Sequence, residues 1–305
     1  MRRKLPSTSA LAAFEAAARH QSYTKAAHEL AVTQSAVCRQ IATLEGFLGV
    51  ALFRRGQRGV VLTDAGLRYA RNVALRLNEV ERDTLDVMAQ AGSGAAVGAL
   101  ELAVVPTFAT QWLLPRLAAF QALHPGITVH FSPRTRPFLF EETNLDAAIH
   151  PGEALWPGTT GEVLMHEHLI AVASPGLLAG RSIQSAAEVA GLPLLQASTR
   201  PYAWRQWFES LGVKAEQDMA GARMELFSML SEAAAQGLGA ALVPRLLVER
   251  ELASGRLLQL LPHVYTSDRS YRLIFPPHKA ELPALQGFAA WLREQARAYL
   301  AQSAP

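Results

Sequence analysis

A chain of 305 residues, half of them apolar and 18% charged, is long enough for two or three cores and too apolar to be a disordered polymer. Its single cysteine, Cys38, excludes a disulfide framework and a cysteine zinc site, and a reducing compartment such as the cytoplasm fits. The net charge of +3 hides an asymmetry: residues 1–62 hold nine Lys and Arg against three acids, a net +6, while the remainder carries −3, so a polyanion partner is expected for the head alone.

The opening MRRKLPSTSALAAFEAAA imitates the basic-then-apolar order of an export signal, but Pro6, Ser7, Thr8 and Ser9 interrupt it and Glu15 breaks the apolar run. No secretion leader is expected, and no run of about 18 apolar residues predicts a membrane span. Ser9 to His20 reads as a helix with Leu11, Phe14, Ala17 and Ala18 on one face. Ser22 is placed to cap a second helix, Tyr23 to Leu30, with Ala26, Ala27 and Leu30 inward. After a tight turn at Ala31-Val32, Thr33 caps a third helix to about Leu48, whose inner face is Val37, Ile41, Leu44 and Leu48. Its outer face carries Gln34, Ser35, Cys38, Arg39 and Thr43.

Two short helices joined by a tight turn, the second polar and basic outside, predict a helix-turn-helix that enters the major groove N-terminus first. Gln34 has the donor and acceptor to read adenine, and Arg39 reaches a guanine edge or a phosphate. The alternative for Thr33 to Arg39 is an ordinary solvated helix face. Leu52 to Thr63 then reads as two short strands around a basic, glycine-bearing turn, a wing that sets Arg54, Arg55 and Arg58 beside phosphates or the minor groove.

The stretch AFEAAARHQSYTKAAHELAVTQSAVCRQIATLEGFLGVALFRRGQRGVVLTDAG (residues 13–66) resembles the DNA-binding head of LysR-type regulators, most of all the branch of the glycine-cleavage and β-lactamase regulators. The resemblance implies that Gln34, Ser35 and Arg39 occupy base- or backbone-contacting positions and that Arg55 and Arg58 are wing contacts. With Thr33 and Arg54 these form the candidate DNA-binding set. Cys38 stands where the family commonly has serine, and it reads as a small side chain in that place. The rival reading is an oxidation-sensitive thiol.

From Asp64 to about Ala91 one long helix is expected, with Ala70, Val73, Leu77, Val80, Thr84, Val87 and Ala91 alternating at spacings of three and four as a coiled-coil seam. The resemblance implies a dimerising linker, so that a twofold dimer presents two recognition helices to a pseudo-palindromic site. Gly92 to Gly98 reads as a hinge. Beyond it, strands at Leu100–Val105, Ile127–Phe131, Ala147–His150, Leu169–Ala173, Leu194–Ala197, Ala240–Val243 and Tyr271–Phe275 alternate with helices at about 108–123, 202–211, 227–236, 244–253 and 283–301. This alternation predicts α/β lobes, which bind ligands beyond the carboxyl ends of their strands.

Three such places stand out: Pro106 to Thr110, Ser198 to Pro201, and Glu225 to Ser228. Each offers hydroxyls or backbone N–H groups suited to a carboxylate, with charge added by Arg200, and each also reads as ordinary helix capping. VVPTFATQWLLPRLAAFQALHPGITVHF and EAAAQGLGAALVPRLL are similar to the effector domain of the same LysR branch, which implies two lobes crossed twice by the chain, near Leu169–Ala171 and Arg269–Leu273, with the effector in the cleft. The expected organisation is therefore a winged helix-turn-helix (1–63), a dimerising linker helix (64–92) and a two-lobed, periplasmic-binding-protein-like α/β effector domain (93–305), lobe I being about 93–169 and 272–305 and lobe II about 170–271. The candidate effector contacts are Thr107 foremost, then Phe108, Thr110, Thr135, Ser198, Thr199, Arg200, Phe227 and Ser228, with Arg136 a further candidate.

Gly237-Leu238-Gly239 has the wrong order and too few glycines for a dinucleotide loop. His166 and His168 alternate as metal ligands do on a strand but have no third partner nearby in sequence. Tyr202, Trp204, Trp207 and Phe208 sit at helical spacing and read as core. No catalytic motif appears, so neither an enzyme nor a resident cofactor or metal is expected. The function expected is a LysR-type regulator whose promoter binding responds to a small effector: an amino acid, another carboxylate or a peptide. Its partners are double-stranded DNA, further copies of itself as a dimer or, by family precedent, a homotetramer, and RNA polymerase. The rivals are a solute-binding protein, an enzyme on an α/β fold, and a regulator whose sensor domain serves only assembly.

Overall fold

The computed structural model describes residues 4–56, 59–92 and 98–303, with the side chains at 82, 83, 86, 87, 89–92 and 303 outside that description. The chain divides into two compact units between residues 94 and 95.

In the first unit, α1 (Thr8–His20), α2 (Tyr23–Glu29) and α3 (Gln34–Leu48) each begin at a hydroxyl cap. Ser7 accepts from the Ala10 N–H at 3.2 Å, Ser22 from Lys25 at 3.3 Å and Thr33 from Ala36 at 3.2 Å. The α2–α3 turn uses a left-handed residue, Ala31, at φ +54°. Phe14, Ala17, Ala26, Val37, Ile41 and Leu44 close the core beneath the three helices. Arg19 clamps α1 to α2, gripping Glu15 at 3.0 Å and Glu29 at 2.6 Å, while His20 reaches Glu29 at 2.6 Å. That network holds the Glu29 carboxyl down at about 2, chiefly through its hydrogen bond from Arg19.

The wing is a hairpin of β1 (Phe53–Gly56) and β2 (Gly59–Leu62), registered Phe53 to Leu62 and Gly56 to Gly59. A carboxylate oxygen of Glu45 on α3 accepts from the Leu52 and Phe53 N–H groups at 2.6 and 3.1 Å, which fixes where the wing leaves the helix. Thr63 then opens α4 (Asp64–Gly92) by accepting from the Gly66 N–H at 3.0 Å. Gly66 is required there, since a Cβ would stand 2.1 Å from the Leu52 carbonyl oxygen.

The expected coiled-coil seam on α4 is split. Val73 is buried in the head's own core, and Tyr69, Ala70 and Leu77 pack against it. Among the described side chains of α4, the large apolar ones left exposed are Leu67, Leu75, Val80, Leu85 and Met88. The side chains of Val87 and Ala91 lie outside the described residues, as does Ser93 to Val97 of the expected hinge. The N-terminal turns of α4 therefore answer to their own core before any partner, a competition that spacing alone does not reveal.

In the second unit, β3 (Gly98–Val104), α5 (Pro106–Phe108), a π-helical turn (Ala109–Leu113), α6 (Leu114–Leu123), β4 (Ile127–Pro133) and β5 (Ala147–Gly152) build the first lobe. It is completed by the start of β6 (Thr160–Ala173), the end of β11 (Tyr265–Phe275) and α12 (Pro283–Ser303). The second lobe holds α7 (Pro175–Leu178), α8 (Ala186–Ala190), β7 (Leu194–Ala197), α9 (Ala203–Ser210), β8 (Arg223–Met224), α10 (Phe227–Ala235), β9 (Ala240–Pro244), α11 (Glu249–Ala253) and β10 (Leu258–Gln259). One hydrogen-bonded path runs β4-β3-β5-β11-β6-β9-β7-β8, with β10 on β6. Strands β3, β4 and β5 pair in parallel, as do β7, β8 and β9, and the two sets meet through the antiparallel pair β6–β11.

That antiparallel pair forms the two crossings. On β6, Leu164 and Met165 belong to the first core and Leu169 to the second, so the change falls at His166–His168, just before the expected Leu169–Ala171. On β11 the register slips between Thr266 and Ser270. Both strands begin earlier than expected, at Thr160 and Tyr265. Their polar halves carry no apolar alternation, because Glu167 and Ser267 point inward to an ion pair rather than outward to water. Beyond the crossing, Leu169, Ala171 and Ala173 face the core of Trp204, Trp207 and Phe208, while Ile170 and Val172 face Leu230 and Ala234 of α10. Tyr202, expected in that aromatic core, is exposed. It precedes the first turn of α9, off the buried face.

Candidate nucleic-acid interface and effector cleft

The inner face of α3 is anchored by Val37, Ile41 and Leu44, so its opposite face is presented outward. Thr33, Gln34, Ser35 and Arg39 are all exposed there, and Cys38 is half-buried. Thr33 is committed to the cap and also lies 3.0 Å from the Ser35 hydroxyl. Arg54 and Arg55 stand exposed on β1, and Arg58 lies outside the described residues. Among these, Arg39, Arg54 and Arg55 have no carboxylate partner among the described residues, whereas the head's Arg19 is spent on Glu15 and Glu29. This face can dock on a phosphate backbone and aim an amide and a guanidinium at base edges.

In the second unit, the carboxyl ends of β3, β4, β5 and β7 and the start of α10 converge on a partly open cavity of about 40 Å³. Its wall includes Thr107, Phe108, Thr135, Thr199, Arg200 and Phe227 of the expected set. Two hydrogen bonds cross from lobe to lobe beside it. The Thr107 hydroxyl accepts from the Ser228 backbone N–H at 3.0 Å, and the Thr135 hydroxyl donates to Glu225 at 2.8 Å.

Thr110 and Ser198 stand apart from the wall. The Thr110 hydroxyl turns back to the Pro106 and Thr107 carbonyls, both at 3.2 Å, and the Ser198 N–H is taken by the Met224 carbonyl. Arg136 is exposed and off the wall. Arg200 is not the free cation expected. It holds Glu167 through two bonds of 3.1 and 2.8 Å and the Thr199 carbonyl through a third, with its side chain only 9% exposed and that of Glu167 fully covered. Burial pulls the guanidinium down, but the Glu167 charge and hydrogen bonds outweigh it and the net shift is upward. Ser267 on β11 also donates to Glu167, so this pair ties the second lobe to both crossing strands.

The sequence reading missed Tyr271 and His150. Tyr271 is buried, stacked on Phe108 at 4.7 Å, and lines the cavity, with its phenol pushed well up by burial and the nearby Glu167. A tyrosine in the apolar run Tyr271–Phe275 was the available signal. His150 lies within β5, with its Nε2 3.3 Å from the Thr135 carbonyl and its ring edge-on to Trp156. Burial holds its pKa below the ordinary histidine value, against the pull of that carbonyl.

Two family models match the chain. Residues 8–67 match the bacterial regulatory helix-turn-helix protein, lysR family, and residues 93–297 match the LysR substrate binding domain. The chain belongs to the LysR family. It is a DNA-binding transcriptional regulator with an effector-binding domain, not an enzyme. The glycine cleavage system transcriptional activator of Escherichia coli K12 is 35% identical over 299 residues, spanning 98% of this chain and 96% of that one.

A structure of the Citrobacter freundii effector binding domain, in which a threonine, a serine and a tyrosine are replaced by valine, alanine and phenylalanine, superposes with a TM-score of 0.60 at 26% identity. It covers 65% of this chain and 98% of that one. Full-length CbnR in complex with its target DNA shares the fold at a TM-score of 0.69 and 22% identity, over 94% of this chain and 98% of that one. Among the described residues of this regulator, no helix is long and apolar enough to cross a membrane.

Proposed function

We propose that this LysR-family protein is a cytoplasmic regulator that binds promoter DNA as a homo-oligomer and changes its grip when a small molecule fills the cleft between its two lobes. Gln34, Ser35 and Arg39 read or brace the major groove, with Thr33 fixing the start of their helix, and Arg54, Arg55 and Arg58 engage the flanking backbone. The exposed apolar residues Val80, Leu85 and Met88 on α4 supply the surface through which two copies pair, and a dimer of such dimers is the assembly favoured. RNA polymerase is the downstream contact.

The observation that carries the effector reading is the Thr107–Ser228 bond across the cleft. The substituted serine and tyrosine of the Citrobacter domain stand 43 positions apart, as Ser228 and Tyr271 do here, and its threonine precedes its serine by 118 positions, against 121 from Thr107 to Ser228. An amino acid, another carboxylate or a peptide entering this cleft must engage or replace that bond, which alters lobe closure. A bias of a few kcal/mol between two lobe geometries is enough to switch an oligomer on DNA.

Footprinting of the purified protein on the DNA upstream of its own gene, with and without a panel of small metabolites, tests both halves. Protection that shortens or shifts with one metabolite is expected. Absence of protection at low salt and high protein concentration overturns the regulator reading of the head.

A further inference from the structure

The chain passes between the lobes twice, and one buried charge stands at the middle of both passages. On β6 the change of core falls at His166–His168, and Glu167 is the central residue of that stretch. On β11 the register slips between Thr266 and Ser270, and Ser267 lies inside the slip. The Ser267 hydroxyl donates to Glu167 at 3.1 Å and accepts from the Arg269 N–H at 3.1 Å, so it ties the irregular stretch of β11 to β6.

The Glu167 carboxylate is fully covered, and its other two donors are Nε and Nη2 of Arg200. Such a pair does little for stability, because desolvating two charges offsets their attraction and apolar side chains of similar size often serve as well or better. What an apolar pair lacks is direction. The two bonds of the fork fix the plane of the guanidinium, and Nη1 fixes it again on the Thr199 carbonyl. The guanidinium stands 5.8 Å from the ring centre of Phe227. Phe227 opens α10 and packs against the cores of both lobes. The next residue, Ser228, gives its N–H to Thr107 in the first lobe at 3.0 Å. A continuous path thus runs from both passages, through Glu167, Arg200 and Phe227, to the bond that crosses the cleft.

We infer that Glu167 is a positioning residue for the cleft: from the point where both strands change lobes it holds Arg200, and through Arg200 the start of α10, at the angle at which the Ser228 N–H reaches Thr107. Its bearing on the effector response rests on the cleft being the effector site, whereas its bearing on lobe geometry does not. Orientation, and not stability, is the work of the pair, and this separates it from an ordinary buried ion pair.

The test uses the full chain and residue-resolved hydrogen exchange. Ser228 is the second residue of α10, where an N–H has no acceptor within the helix, so its exchange reports the bond to Thr107. The Leu230 N–H, bonded to the Leu226 carbonyl at 3.1 Å, reports α10 itself. In the paired variant Glu167→Met/Arg200→Met the thermal midpoint of the effector unit is expected to hold or rise. Leu230 exchange is expected to match the parent and Ser228 exchange to quicken by about tenfold or more. Ser267→Ala leaves the ion pair in place and removes a hydroxyl with no hydrogen bond to α10, and it is expected to quicken Ser228 alone by a smaller factor.

Ser228 exchange equal to the parent's in Ser267→Ala or in the paired variant overturns the inference. So does a joint quickening of Ser228 and Leu230 with a fallen midpoint, the behaviour of a pair that only holds its lobe together. If Ser228 quickens alone and no metabolite shifts the parent's promoter footprint, the positioning of the lobes by Glu167 stands and the effector reading of the cleft falls.

Discussion

At the scale of single residues, the same hydroxyl chemistry does different work according to what stands opposite. Ser7, Ser22 and Thr33 cap their own helices, while Thr107 accepts from an N–H more than a hundred residues away in the other lobe. Thr107→Val keeps the volume and removes the acceptor, leaving the Ser228 N–H unpaired at a cost of about 1–3 kcal/mol. DNA binding without effector is expected to match the unsubstituted protein, and the effector-dependent footprint change to be blunted. A full effector response in the variant removes Thr107 from the switch.

Glu29 gives a second residue-level expectation. Its carboxyl is lowered from 4.5 to about 2, so its contribution to head stability is fully present above 4.5 and is lost as the pH falls through about 2. Glu29→Gln is expected to lower the urea midpoint of the head above pH 4.5, with the gap to the parent closing as the pH falls toward 2. A constant gap across that range shows that the Arg19–Glu29 bond is not its source.

Thr107 was legible from the sequence because it follows an apolar strand and opens a helix. Arg200 was legible as a cleft residue but not as a spent charge, since its partner Glu167 lies on a strand half that has no apolar alternation to announce it.

Among elements, those with a local cause were the most legible. The head helices have a hydroxyl cap, an apolar face of regular spacing and a stop, all within a few residues of one another, and they run within a residue or two of where the sequence places them. Their dependence on those caps is testable. Thr33→Ala removes the acceptor at the start of α3 and is expected to cost about 1 kcal/mol in head stability, with a loosened first turn and weaker DNA binding because Gln34 and Ser35 ride on that turn. Unchanged stability with weaker binding assigns Thr33 to DNA contact instead of capping.

The short strands β8 and β10, of two residues each, were not legible. Neither has a pattern of its own, and each exists because a neighbour, β7 or β6, offers an edge. The expected helix from 108 is likewise divided by a π-helical turn at Ala109–Leu113, within which Trp112 buries its indole against Phe108. That adjustment belongs to tertiary packing.

For the whole molecule, the separation of charge between head and body sets how affinity depends on salt. Residues 1–62 carry +6 and the rest −3, so counterion release on binding DNA must come from the head. Within the head the basic residues are not equivalent: Arg19 is held by two carboxylates, while Arg54 and Arg55 stand exposed on the wing. Arg55→Ala is expected to weaken binding to every sequence by a similar factor and to flatten the plot of log affinity against log salt by about 0.9 for each wing lost. Gln34→Ala is expected to leave that slope intact and to narrow the preference between a promoter site and scrambled DNA, because an amide that reads a base edge releases no counterion. Arg19→Ala, a control of equal formal charge change, should lower head stability and leave the slope unchanged. Equal slopes for the Arg55 and Arg19 variants mean that the wing does not touch the backbone, whereas a flatter slope for Arg55 alone ties the basic head to DNA through the hairpin that α3 and Glu45 hold in place.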